Sequence, residues 1–128
     1  MQDRPRADEL AEAVREFFES EILPTIDDPR IRFRALVAAN GLGILEREIA
    51  FGTPLVRREV GALMRLLGHA DAVPEDFDEL RRRATDLNRE LVLLIRAGDM
   101  PDGTLAHLLA TVADKLRVAS PRYLERYR

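Results

Sequence analysis

The stretch from Pro29 to Phe51, PRIRFRALVAANGLGILEREIAF, decides how the rest of the chain is read. Its apolar periodicity predicts one helix of about six turns, at 3.6 residues per turn. Phe33, Val37, Asn40, Ile44, Arg47 and Phe51 recur at alternating spacings of three and four, so they share one face. Asn40 and Arg47 interrupt an otherwise apolar stripe. An amide and a guanidinium on a buried face need partners, and Glu59, Asp86, Glu90 and Asp114 are candidate acids on other helices. The alternative is a polar patch at a groove, where Arg47 meets a carboxylate or phosphate of a ligand or partner. Ala39 and Gly43 lie four apart on one side. Glycine inside a helix costs roughly 1 kcal/mol relative to alanine, so a closely packed neighbour is expected over that side.

Both ends of this stretch carry helix signals. Asp27 and Asp28 precede Pro29, an acidic cap before a proline at the first helical position. Gly52-Thr53-Pro54 reads as a break and a new start, with Thr53 as cap and Pro54 as first residue. The next helix buries Val56, Val60, Leu63 and Leu67, widened by Leu55, Met64 and Leu66, and Gly68 ends it. Upstream, a helix opening at Pro5 carries the stripe Leu10, Ala13, Val14, Phe17, Phe18 and Ile22 until Pro24 stops it. Downstream, Pro74-Glu75-Asp76 opens a helix with Phe77, Leu80, Ala84, Leu87, Leu91 and Leu94 inward, closed at Gly98. After turn chemistry at 99–103, a last helix over 104–118 buries Leu105, Leu108, Leu109, Val112 and Leu116. Ser120-Pro121 ends it, leaving a basic, aromatic tail over 119–128. No period-two alternation or hairpin signal predicts a strand. The expected fold is an all-α, single-domain bundle of about five helices over 1–128, with mostly antiparallel neighbours.

Bulk composition narrows the function classes. The chain has 128 residues, 46% hydrophobic and 34% charged, which suits one compact domain. The net charge is −3 despite 20 basic residues, so a nucleic-acid coat is not expected. Arg81, Arg82 and Arg83 point three ways around a helix and read as a solvated surface. There is no cysteine, which excludes disulfides, thiolate metal sites and cysteine nucleophiles. The charged N-terminus lacks a signal-peptide core, and no run approaches the roughly twenty apolar residues of a membrane span. A cytoplasmic protein is expected.

Chemistry-bearing motifs are scarce. His69 and His107 show no metal-ligand spacing, and neither GxSxG nor a phosphate loop is complete. No metal, cofactor or catalytic residue is expected, which weighs against an enzyme. Three readings stay open: an accessory subunit, a binder or enzyme for acyl-CoA or phosphate around Asn40, Arg47 and Arg96, and a DNA-binding regulator using Arg57, Arg58 and Arg81 to Arg83.

One pattern resembles a known family. Arg32, Phe33, Val37, Ala38, Ala39, Asn40, Leu42, Ile44, Arg47 and Glu48 form R-F-x-x-x-V-A-A-N-x-L-x-I-x-x-R-E. With Ile95-Arg96-Ala97-Gly98 and Lys115-Leu116 through Pro121-Arg122-Tyr123-Leu124, this resembles a bacterial family of small helical proteins. Their genes stand beside aminoglycoside-phosphotransferase-like kinases and acyl-CoA dehydrogenases. A similar small protein works with the kinase that phosphorylates 4-hydroxyacyl-CoA in the levulinate pathway. The resemblance covers nearly the whole chain, weakest over 52–76, and transfers no active-site residue. It implies a non-catalytic accessory subunit that binds such a kinase, with neither nucleic acid nor membrane as partner and a homodimer left open. The residues it marks for a polar partner or ligand site are Arg32, Asn40, Arg47, Glu48, Arg96, Lys115, Arg122 and Tyr123.

Overall fold

The computed structural model describes residues 4–126. The expected all-α class is what it shows: five α-helices and, among the described residues, no strand. They are α1 (Ala7–Phe17), α2 (Pro29–Leu67), α3 (Phe77–Ala97), α4 (Thr104–Ala119) and α5 (Pro121–Arg126). The chain divides into two compact units, 1–52 and 53–128, and α2 contributes residues to both.

The helix count agrees with the expectation, but its membership differs. The break at Gly52-Thr53-Pro54 does not occur; α2 runs 39 residues with Pro54 in its interior. Proline there removes the N–H that would reach the Ala50 carbonyl, at a cost of about 3 kcal/mol. The apolar stripe of Val56, Val60, Leu63 and Leu67 continues beyond it, and burial of that stripe offsets the lost bond. The tail supplies the fifth helix instead. Pro121 opens α5 rather than ending structure, because proline fits a first helical turn. Tyr127 and Arg128 of the expected tail lie outside the described residues.

In the first unit, Glu9 caps α1 by accepting from the Arg6 backbone N–H at 2.8 Å. Pro24 cannot donate to the Ser20 carbonyl, and the chain leaves α1 through a π turn (Phe18–Ile22) and a 3₁₀ turn (Leu23–Thr25). Asp28 caps α2, its Oδ1 accepting from the backbone N–H of Arg30 at 2.8 Å and of Ile31 at 3.2 Å. The small side of α2 is its buried side, as expected: Ala39 and Gly43 are covered. A Cβ on Gly43 would stand 3.3 Å from Arg15 Cδ, so Arg15 of α1 lies over the glycine.

In the second unit, Val60, Leu63 and Met64 of α2 close on Leu80, Ala84, Leu87 and Leu91 of α3. Val56, Leu66, Leu67 and Val73 flank this core. Each fully buried leucine contributes about 1.5–3 kcal/mol by leaving water. Asn88 ties the pair further, donating from Nδ2 to Glu59 at 3.0 Å. Asp76 caps α3 through the Glu79 N–H at 3.0 Å. Gly68 and Gly98 end α2 and α3 at φ +76° and +84°, a left-handed turn that favours glycine. The α2 and α3 members of this core are the ones the sequence predicts, except that Phe77, expected inward at the start of α3, is exposed.

Candidate functional site

The outer helices depart from expectation in one consistent way. On α4 the inward residues are Thr104, His107, Thr111, Asp114 and Val118, spaced three and four apart. Thr104 is buried and bonds the Pro101 carbonyl at 2.7 Å. Asp114 receives Arg58 Nε at 2.9 Å and Arg117 Nη1 at 2.7 Å. His107 Nε2 is buried with no partner among the described residues. Of the apolar residues expected to be buried, Leu116 is half-buried, but the others face outward: Leu105 is 65%, Leu109 64% and Val112 54% exposed, with Leu108 beside them. The stripe is real, but α4 packs on its polar side.

The same inversion marks α1. Leu10, Ala13, Val14 and Phe17, expected inside, are exposed, while Ala11 and Arg15 turn inward; Phe18 and Ile22 beyond the helix are half-buried, as expected. Arg15 Nε donates to Glu46 Oε2 of α2 at 3.1 Å, and its Nη1 to Glu19 at 3.0 Å. The hydrogen bond and charge of Glu46 raise the Arg15 pKa above its ordinary value. On α2, Phe33, Val37 and Phe51 are exposed as well. Asn40, expected on a buried face, points to solvent, because the covered side of α2 is the Ala39–Gly43 side.

The eight residues marked by the sequence pattern fall as follows. Arg32, Asn40 and Glu48 are exposed on α2 and Arg47 is half-buried there. Arg47 folds along its own helix, its Nη1 3.3 Å from where a Gly43 Cβ would stand. In the other unit, Arg96 is exposed in the last turn of α3, Lys115 on α4, and Arg122 and Tyr123 on α5. The acids proposed as Arg47 partners have other engagements: Glu59 with Asn88, Glu90 with His69, Asp114 with Arg58 and Arg117. Asp86 stands 3.9 Å from Arg89.

Two polar clusters were not legible in the sequence. His69 bridges Glu90 at 2.8 Å through Nε2 and Arg83 at 3.3 Å through Nδ1, and Arg83 also donates to Asp71 at 2.9 Å. That pattern requires the Nε2–H tautomer, with Nδ1 accepting from the guanidinium. The cluster staples the 69–71 loop to α3. The second is an open cleft of about 390 Å³ lined by Pro54, Arg57, Arg58, Gly61, Arg65 and Val73. The run Arg81 to Arg83 does diverge: Arg81 lies over the Phe77 ring at 5.7 Å, Arg82 is exposed, and Arg83 turns to Asp71. Among the described residues, no group of three or more potential metal ligands converges. Among the described residues, no helix is long and apolar enough to cross a membrane.

A family model described as a domain of unknown function, DUF6285, matches residues 24–123. The chain belongs to the DUF6285 family. The match begins at the 3₁₀ turn before α2 and closes inside α5, so α1 lies outside it. No curated protein and no solved structure matches the chain.

Proposed function

We propose that this DUF6285 protein is a non-catalytic accessory subunit that binds and supports an aminoglycoside-phosphotransferase-like kinase acting on hydroxyacyl-CoA. The observation that carries the reading is the outward stripe of α4. Leu105, Leu109 and Val112 recur at spacings of four and three, so they form one apolar band along a helix whose opposite side is already packed. A helix that buries Thr104 and turns a half-buried Asp114 inward while leaving leucines in water is built for a surface that comes from elsewhere. Helix-in-groove recognition reads such i, i+4, i+7 anchors. The class of partner comes from the sequence resemblance, and the stripe supplies its chemistry: an apolar groove or helix face.

Co-expression with a kinase encoded beside its gene, size-exclusion chromatography and a 4-hydroxyacyl-CoA phosphorylation assay test the proposal. The expected result is one co-eluting peak and higher kinase activity or solubility than the kinase alone. Two separate peaks with unchanged activity refute it. Light scattering on the isolated chain separates a second copy of the chain from a kinase as the cover of the stripe.

A further inference from the structure

The geometry points to a binding site for a small-molecule pyrophosphate group in the cleft of Arg57, Arg58, Gly61 and Arg65, outside the residues that the sequence pattern marks for a partner or ligand. It is independent of the subunit reading. Positions 54, 57, 58, 61 and 65 lie along one side of α2, and Val73 of the following loop closes the cleft. Gly61 leaves the floor without a side chain; a Cβ there would stand 3.6 Å from Arg65 Nη1, so the Arg65 guanidinium reaches back over it.

Three arginines therefore line one open volume of about 390 Å³. Their charge is only partly compensated. Arg57 is fixed by two backbone carbonyls, Nη1 to Pro74 at 3.3 Å and Nη2 to Glu75 at 3.1 Å. Neutral carbonyls hold the fork in place and leave its full charge. Among the described residues, neither Arg57 nor Arg65 has an ion-pair partner. Arg58 shares Asp114 with Arg117. Guanidinium forks match phosphate oxygens bidentately, and a fork already held in place loses less rotamer freedom on binding. Arg57 and Arg65 are two turns apart, about 12 Å along the axis. The Arg65 guanidinium reaches back over Gly61, however, only one turn or about 6 Å along the axis from Arg57, a separation that two adjoining phosphates of one ligand span better than a single phosphate.

Titration of the whole chain with inorganic pyrophosphate at low ionic strength, followed by amide NMR shifts, is the test. Saturable binding at one site is expected, with the Gly61 and Arg65 amides among those that move. Arg65→Gln and Arg57→Gln should each weaken binding by about tenfold or more, the weight of one charge-assisted hydrogen bond. Arg82→Gln removes the same charge from α3 and should change affinity less than about twofold, since it sits outside the cleft. ADP in place of pyrophosphate distinguishes the sources: tighter binding assigns a nucleotide, equal binding a free pyrophosphate. Absence of saturation, shifts confined to residues outside the cleft, or equal losses in Arg82→Gln and Arg65→Gln each overturn the proposal. The wild-type shift map does not depend on any variant folding.

Discussion

Gly43 and Gly41 are two residues apart on α2 and serve different ends. A Cβ at Gly43 meets Arg15 Cδ and Arg47 Nη1, both at 3.3 Å, whereas nothing lies within 4 Å of one at Gly41. Gly41→Ala should therefore raise stability by about 0.5–1 kcal/mol, the plain helix-propensity gain, read as a higher urea midpoint. Gly43→Leu should lower it, because Arg15 must leave Glu46. Removing the pair by Glu46→Gln should cost about 0.5–1 kcal/mol, less at high salt, since both side chains keep roughly a quarter of their exposure (23% and 25%). At the start of α1, the Arg6 hydrogen bond holds the Asp8 carboxyl below its ordinary value. A depressed carboxyl contributes stability above its unfolded pKa, about 3.9, and loses that contribution as pH falls through the folded value. Asp8→Asn should thus lower the urea midpoint at pH 6, and by less as the pH is taken down below the ordinary carboxylate range. Asn40 shows where reading by residue stops. Its place in a three-four stripe is sound, yet a stripe does not say which side of a helix is covered, and the small side proved to be the packed one.

At the scale of elements, α3 was legible almost to the residue. Its cap, its inward stripe and its glycine end are all local signals, and they agree with one another. For α2 two local signals competed. Thr53-Pro54 spells a helix start, but burial of Val56, Val60 and Leu63 rewards continuation, and tertiary burial outweighs a proline penalty of about 3 kcal/mol. Pro54→Ala should restore the N–H to the Ala50 carbonyl and raise stability by about 1–3 kcal/mol, measured as a shift of the urea midpoint. The helix α4 was legible as an element and illegible as an orientation. Its apolar stripe is stronger than its polar one, and periodicity alone places the apolar one inside. Asp114 held between Arg58 and Arg117, and Thr104 on the Pro101 carbonyl, fix the opposite orientation through partners that sequence spacing does not reveal.

For the whole molecule, large apolar residues outside the core are part of the design in both units. Leu105→Gln with Leu109→Gln should leave thermal stability within about 0.5 kcal/mol per substitution, because both side chains stand in solvent. The same pair should abolish co-elution with the kinase. A collapse of the melting transition would instead place those leucines inside the fold. Leu87→Ala, in the core of the second unit, is the contrasting case and should cost about 2–5 kcal/mol in the same measurement. The class of the fold followed from helical periodicity without ambiguity. The cleft of arginines did not, because its members come from a helix face and a loop that meet only on folding.

The outward leucines of α4 also bear on how much of this protein a cell can hold. Chaperones and proteases recognise apolar side chains left in water, whether they belong to a misfolded chain or to a finished one that lacks its cover. An uncovered copy is therefore a substrate for degradation even when its own core is intact. Under the proposed subunit reading, supply of the partner that covers α4 sets the lifetime of the chain, and its stoichiometry is enforced by turnover as much as by synthesis.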